Sequence, residues 1–258
     1  MDSYARRIEQ TVNLLKDAKK VSAFTGAGIS TESGISDFRS PGGVWDRYRI
    51  VTYQEFLASH DARVEYWKMK KELFYEMKDA RPNKAHLALA ELEKIGKLDC
   101  LITQNIDGLH QEAGNTNVIE LHGTNRKAKC VMCGKIWPIE EIQTILETGN
   151  LDPRCDVCNG LIKPATISFG QSMPEKEILK AYECAFKCDL FLMIGSSLQV
   201  EPAASIPREA ERAGAKLIFV NRTETPYDSL ATVLFRESAG QVLADLVQGM
   251  IRINPNNQ

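Results

Sequence analysis

The sequence predicts an α/β protein: a Rossmann-like, doubly wound parallel sheet with a smaller unit beside it. Three observations carry that reading. Short apolar segments alternate with segments of helical period, and several are apolar throughout, as strands buried on both faces are. The first apolar segment runs straight into a glycine turn, Gly26-Ala27-Gly28. Four cysteines fall in two Cys-x-x-Cys pairs, Cys130/Cys133 and Cys155/Cys158, with 21 residues (134–154) between them.

Taken in order, Ile8, Val12, Leu15 and Ala18 give a first amphipathic helix within 1–20. A strand over 21–24 stops at the glycine turn. Pro82 and Asn83 open a helix over 82–95 that Gly96 ends, and a strand over 98–103 comes at once. Further strands are expected at 118–121, 189–194 and 215–220, and helices at 202–213 and 240–251. A pair of strands is expected around 231–235. Two stretches break the rhythm: 36–81 holds aromatic-rich helices, and 123–164 holds the cysteines. The expected division is therefore a large domain of 1–35, 82–122 and 165–258, and a small domain of 36–81 and 123–164. Residues 254–258 read as a frayed tail.

Two Cys-x-x-Cys knuckles at this spacing place four thiolates tetrahedrally around one zinc ion. Four unrelated buried cysteines are the plainer alternative, but two matched pairs argue against it. With no ligand position left open, this zinc folds a ribbon and does no chemistry. The small domain is thus helical plus zinc ribbon.

Composition bounds the rest. The chain has 258 residues and a net charge of −2, with no strongly basic block, so direct nucleic-acid binding has no electrostatic support. No apolar run approaches a membrane span, and the charged N-terminus is no signal peptide. Beyond the four proposed zinc ligands stand Cys100, Cys184 and Cys188. Three leftover thiols fit a reducing compartment, so the cytoplasm is the expected location.

The candidate chemistry lies at strand ends, where open α/β sheets bind ligands. The glycine turn lets backbone N–H groups approach a pyrophosphate, yet it is not Gly-x-Gly-x-x-Gly, and a plain strand-to-helix turn explains it too. Asp37, Phe38 and Arg39 set a carboxylate, a ring and a cation nearby, or form a salt-bridged loop. Gln104, Asn105, Ile106, Asp107 and Gly108 come after the second strand; turn chemistry explains Asn105, Asp107 and Gly108, and Gln104 less readily. His122, one of four histidines, comes after a strand and precedes Gly123, so it is a candidate general base, though a lone histidine is more often structural. Ser196, Ser197 and Asn221 also come after strands and close the far half of a nucleotide site.

In this order the segments resemble the sirtuin family of NAD-dependent protein deacylases. The matches are GAGIS (26–30), GISDFR (34–39), TQNID (103–107), LHG (121–123), the cysteine pairs, FG (169–170), GSSL (195–198) and VN (220–221), spread from about Lys20 to Leu246. The resemblance implies that NAD and an acyl-lysine peptide meet in a cleft between the two domains. NAD is then a co-substrate, and the products are free lysine, nicotinamide and O-acetyl-ADP-ribose. It implies that the catalytic residues are His122, the base acting on a ribose hydroxyl, Asn105, which positions a water and ribose hydroxyls, and Asp107. Gly26, Ala27, Gly28, Thr31, Phe38 and Arg39 belong to the cofactor loop, Ile106 and Asp107 to the nicotinamide pocket, and Gln104 to a ribose. Ser196, Ser197, Asn221 and Ala239 match the adenosine side. Ile167, Phe169 and Gly170 line the acyl-lysine tunnel, and Leu198 and Val200 help clamp the peptide by β-augmentation.

Some positions depart from that pattern. Ser36 stands where proline is common, Gln171 replaces a frequent glutamate, Ser168 a larger apolar residue, and Ser196 a threonine. Desuccinylating sirtuins share a Tyr-x-x-Arg pair that 36–81 lacks. With Trp67 and Met69 on that helix a neutral acyl group is expected, and Lys70 is a reason to test an acidic one. The alternatives are a longer-chain deacylase, a mono-ADP-ribosyltransferase on the same scaffold, and a non-catalytic NAD-binding module. A monomer is expected.

Overall fold

The computed structural model describes residues 3–38 and 42–253. Arg39 and the expected tail at 254–258 lie outside the described residues. Helix α1 (Ser3–Asp17) leads to strand β1 (Val21–Thr25), then to two 3-10 turns, Ala27–Ile29 and Thr31–Ser33. Helices α2 (Val44–Arg47), α3 (Tyr53–Ala58), α4 (His60–Lys78) and α5 (Lys84–Lys94) precede β2 (Cys100–Thr103). Next come α6 (Leu109–Ala113), β3 (Val118–Glu120), β4 (Gly123–Cys130), β5 (Ile136–Pro138), α7 (Ile139–Glu147) and β6 (Ile162–Thr166). The chain closes with α8 (Glu175–Lys187), β7 (Leu190–Ile194), α9 (Ile206–Arg212), β8 (Lys216–Val220), β9 (Val233–Phe235) and α10 (Ala239–Ile253).

Six strands form one parallel sheet in the order β3-β2-β1-β7-β8-β9. Its apolar strands are apolar throughout because both faces are covered. Leu190, Leu192 and Ile194 of β7 join the core beneath α1, α5 and α10, while Phe191 and Met193 face the core under α8 and α9. Ile218 and Val220 of β8 likewise point one way, and Leu217 and Phe219 the other. This is the period of two that a pleated strand imposes. The strand order reverses between β1 and β7, so a crevice opens beyond Thr25 and Ile194, the topological switch point.

A second, antiparallel sheet runs β5-β4-β6. It packs with α4 and α7 around a separate apolar core that includes Phe56, Trp67, Ile142 and Ile162. Asp152 ties this region together: Arg63 of α4 grips its carboxylate with Nε at 2.8 Å and Nη2 at 3.1 Å, and His60 and Arg154 add to it. Burial opposes ionisation of Asp152, but the hydrogen bonds from Arg63 and His60 hold its carboxyl below the usual range.

Several expectations need correction. Cys100 and Cys184 are joined by a disulfide between β2 and α8, which leaves Cys188 as the one remaining thiol outside the knuckles among the described residues. Counting three leftover thiols therefore no longer argues for a reducing compartment. The region 231–235 supplies one strand, β9, and not a pair. The helix expected from 202 begins as α9 only at Ile206, after a 3-10 turn at Ala203–Ser205. Helices α7 and α8 have no counterpart among the sequence expectations.

Candidate active site

A cavity of about 510 Å³ occupies the switch point and reaches towards the second sheet. The sequence-predicted residues Gly26, Ala27, Gly28, Thr31, Phe38, Gln104, Asn105, Ile106 and His122 line it, as do Ile167, Phe169, Gly170, Ser196, Ser197, Val200, Asn221 and Ala239. Among the described residues, two predicted ones do not. Leu198 is 3% exposed, packed into the core under α9. Asp107, 7% exposed, turns its carboxylate inward, accepting from Ser30 Oγ at 2.7 Å and from Leu109 N at 2.9 Å.

The turn after β1 requires glycine because the backbones approach closely. A Cβ on Gly26 would sit 2.7 Å from the Gly195 carbonyl oxygen, and one on Gly28 would sit 2.9 Å from the same residue. The N–H groups of Gly26 and Gly28 donate to Ile194 and Gly195 carbonyls, so these two amides hold the β1 turn against the β7 turn. The chain then continues through a pair of 3-10 turns and no α-helix. Asn83, the N-cap of α5, braces this loop by donating to the Ile29 carbonyl at 2.7 Å and to Ser33 Oγ at 3.0 Å.

His122 lies half-buried where β3 gives way to β4, with Nδ1 2.9 Å from the Gln104 carbonyl oxygen. A carbonyl only accepts, so Nδ1 carries the proton and the basic lone pair resides on Nε2. That tautomer is the one a general base on the cavity side requires. Asn105, 6% exposed, has its amide donating to the Gly26 carbonyl and to Ser30 Oγ, both at 3.1 Å. Gln104 reaches across the switch point to Ser196 Oγ at 2.7 Å, joining the turns after β2 and β7.

The substrate side is built from backbone. Ile167 N donates to the His122 carbonyl, Tyr53 N to the Phe169 carbonyl, and the Gln54 amide to the Gly170 carbonyl. Gln171 accepts from Ser168 N at 3.1 Å, so the residue that departs from the family pattern braces the same loop. Phe38 packs tilted against Trp45 at 5.4 Å between ring centroids, and Trp45 meets Phe169 edge-on at 5.8 Å. Lys70 lines the cavity and donates to Asn125 Oδ1. Lys163, 3% exposed, donates to the carbonyls of Pro164 and Thr166. Burial pushes Lys70 down to about 8, and burial plus the neighbouring Lys70 charge pushes Lys163 down to about 7.

Away from the cavity, the sulfurs of Cys130, Cys133, Cys155 and Cys158 all lie within 4.8 Å of one another, with Cys130–Cys158 at 3.5 Å and Cys133–Cys155 at 3.6 Å. Tetrahedral zinc at ~2.3 Å from each sulfur implies sulfur–sulfur separations of about 3.8 Å, so the four residues fit the ion. A Cβ on Gly160 would meet Cys130 Sγ at 3.0 Å, which is why the second knuckle turns through glycine.

The sequence offered no hint of a role for Ser30, Trp45 or the buried histidines His86 and His110, and marked Asn83 only as the start of a helix. Ser30 and Asn83 sit inside or beside the segments that carry the turns, and their hydrogen-bonding side chains were the available signal.

A sequence model of the Sir2 family matches residues 26–202. The chain is 58% identical over 245 residues to the NAD-dependent protein deacetylase of Thermodesulfovibrio yellowstonii, covering 95% of this chain and 96% of that one. It is 40% identical over 230 residues to the NAD-dependent protein deacetylase of Thermotoga maritima, covering 89% and 92%. Among solved structures, a histidine-to-alanine variant of Sir2 with a deacetylated p53 peptide and 3′-O-acetyl ADP-ribose superposes with a TM-score of 0.87 at 38% identity, covering 96% of this chain and 98% of that one.

Proposed function

The chain belongs to the Sir2 family, and from that premise we propose a division of roles among the residues of its active site. The protein is an NAD-dependent protein lysine deacetylase that takes NAD and acetyl-lysine peptides as substrates and holds a structural zinc ion. The observation that carries the residue assignment is the Nδ1–carbonyl bond of His122, which puts the basic lone pair on Nε2 of a ring that lines the cavity.

NAD supplies an ADP-ribosyl group and a ribose hydroxyl. His122 Nε2 takes the proton of that hydroxyl and so prepares it to receive the acetyl group. Asn105 orients water and ribose hydroxyls from a side chain already fixed by Gly26 and Ser30. Ile106 walls the nicotinamide pocket, and Asp107 acts from behind by holding Ser30 and the start of α6. The loop from Gly26 to Thr31 with Phe38 and Arg39, and the Gln104–Ser196 contact, take the phosphates and ribose. Ser197, Asn221 and Ala239 take the adenosine. Ile167, Phe169 and Gly170 form the acyl-lysine tunnel, and the backbone of 198–201, with Leu198 and Val200, clamps the peptide, which gives affinity with little sequence preference. The preferred acyl group is small and neutral; Lys70 in the cavity wall is the reason to include an acidic acyl group in any panel.

The large domain comprises 1–35, 82–122 and 165–258, and the small domain 36–81 and 123–164, each with its own apolar core. The protein acts as a monomer and binds no nucleic acid directly. No helix among the described residues is long and apolar enough to cross a membrane. A cytoplasmic location suits four thiolates that must stay reduced to take zinc.

The test is nicotinamide release from NAD by the purified protein. Release should require an acetyl-lysine peptide and fail in His122→Ala. Release without peptide, with ADP-ribose appearing on protein, would favour the transferase alternative instead.

A further inference from the structure

Behind Asn105 lies a buried layer of polar groups with no part in the proton transfer assigned to His122. Asn105 leaves β2 with its backbone N–H donating to Thr103 Oγ1 at 3.0 Å. Thr103 Oγ1 also accepts the Thr25 hydroxyl at 2.8 Å, and Thr25 Oγ1 lies 2.9 Å from His110 Nε2. Thr25, Thr103 and His110 are each no more than 2% exposed. Counting protons orders this chain. The single Thr25 proton goes to Thr103, so the Thr25 oxygen accepts from His110, and Nε2 of that ring carries the hydrogen. Nδ1 is then bare and finds no hydrogen-bond partner among the described residues. A buried acceptor without a donor is destabilising, and an apolar side chain at position 110 would avoid it. What the ring contributes in return comes only through its other nitrogen.

We propose that His110 is a positioning residue for the deacetylase reaction: acting through Thr25 and Thr103, it fixes the backbone of Asn105 and thereby aims the Asn105 amide at the reacting groups. The proposal rests on the deacetylase reading. Three consecutive hydrogen bonds run from α6 through the end of β1 to the end of β2, so these two neighbouring strands are pinned where they deliver Gly26 and Asn105. The far end of the same side chain is pinned separately by Gly26 O and Ser30 Oγ. Loss of either anchor lets Asn105 drift, and a misplacement of about 1 Å is expensive in turnover. Burial, with the neighbouring His86 ring at 4.9 Å, holds the His110 pKa down to about 3, so the neutral ring needed here persists at working pH.

Kinetics and nitrogen NMR test this together. In the wild-type protein, 15N-detected histidine spectra should show His110 neutral with the proton on Nε2. His110→Leu should lower kcat on an acetyl-lysine peptide at least tenfold with the peptide KM within twofold. His110→Gln, whose amide nitrogen can still donate to Thr25, should recover most of that loss. Thr103→Val should reproduce the loss, and the double variant His110→Leu/Thr103→Val should be no worse than the worse single one, because both cut one chain. Equal losses in His110→Leu and His110→Gln, additive losses in the double variant, an effect on KM alone, or an Nδ1–H or charged ring would each overturn the proposal. Should His110→Leu fail to fold, the wild-type tautomer and Thr103→Val decide the matter. A wild-type chain inactive on acetyl peptide overturns the deacetylase reading and this proposal with it. An active wild type with normal His110→Leu and Thr103→Val overturns this proposal alone.

Discussion

The strand ends at the switch point and the zinc ribbon are both built from polar residues on turns, yet they answer to different physics. At the switch point, polar groups are collected in a cleft and held by bonds that fix their orientation and, at His122, the tautomer. His122 commits Nδ1 to a carbonyl and keeps Nε2 basic, and Gln104 and Ser196 tie two turns together across the sheet. At the ribbon, four thiolates converge on one point with no position left for substrate. In the first region a substitution should remove chemistry and spare the fold. In the second it should remove structure and take activity down as a consequence. Two units of one chain can thus look equally functional in sequence while only one performs catalysis.

The sharpest way to break that contrast is His122→Ala. Loss of a general base should lower kcat by about 10²–10⁴-fold. Thermal unfolding of the variant should stay close to wild type, because His122 is only half-buried and lines an open cavity instead of filling a core. A large drop in Tm would place His122 on the structural side of the divide.

Zinc removal should show the converse. A strong chelator, or Cys133→Ser, should release one metal ion per chain by elemental analysis and melt the β5-β4-β6 sheet. Turnover should fall at least tenfold because β4 and β6 carry His122 and Ile167 into the cavity wall. Full activity without metal would mean that the ribbon folds independently of it.

Within the small unit, the buried Arg63–Asp152 pair gives a graded test. Arg63→Ala takes the two-bonded partner from Asp152, at 10% side-chain exposure, but leaves Arg154 and His60 on the carboxylate, so the loss should fall below the roughly 3–5 kcal/mol that an uncompensated buried charge costs. Denaturant unfolding should show that loss, with kcat changed far less than in His122→Ala.

The last effect concerns pH. Lys163 has its folded pKa depressed to about 7 by burial and by Lys70, against an unfolded value of about 10.4. Between those two values the unfolded chain binds more protons at this site than the folded chain, so stability rises with pH from about 7 to 10. Lys163→Met should flatten that rise. An unchanged slope would show that Lys163 is charged and well solvated in the folded protein.

Much of the architecture was legible in the sequence, and the remainder was hidden for identifiable reasons. Strands such as β7 and β8 announced themselves because they are apolar on both faces. Helix α8 did not, because its buried positions include only Ala181 and Ala185 while Leu179 and Phe186 face outward, so the amphipathic pattern is inverted in weight. The Cys-x-x-Cys spacing revealed the metal site, but no spacing rule pairs Cys100 with Cys184 across 84 residues of chain. His122 stood out by its place at a strand end. The His110–Thr25–Thr103 chain was hidden, since its members are separated in sequence and meet only when β1, β2 and α6 pack.

Mass balance on the products tests the central claim most directly. An acetyl-lysine peptide incubated with the protein and NAD should lose its acetyl group mole for mole as nicotinamide and O-acetyl-ADP-ribose appear, and nothing should change without NAD. Free acetate with NAD intact, or ADP-ribose attached to protein while the peptide keeps its acetyl group, would contradict the account.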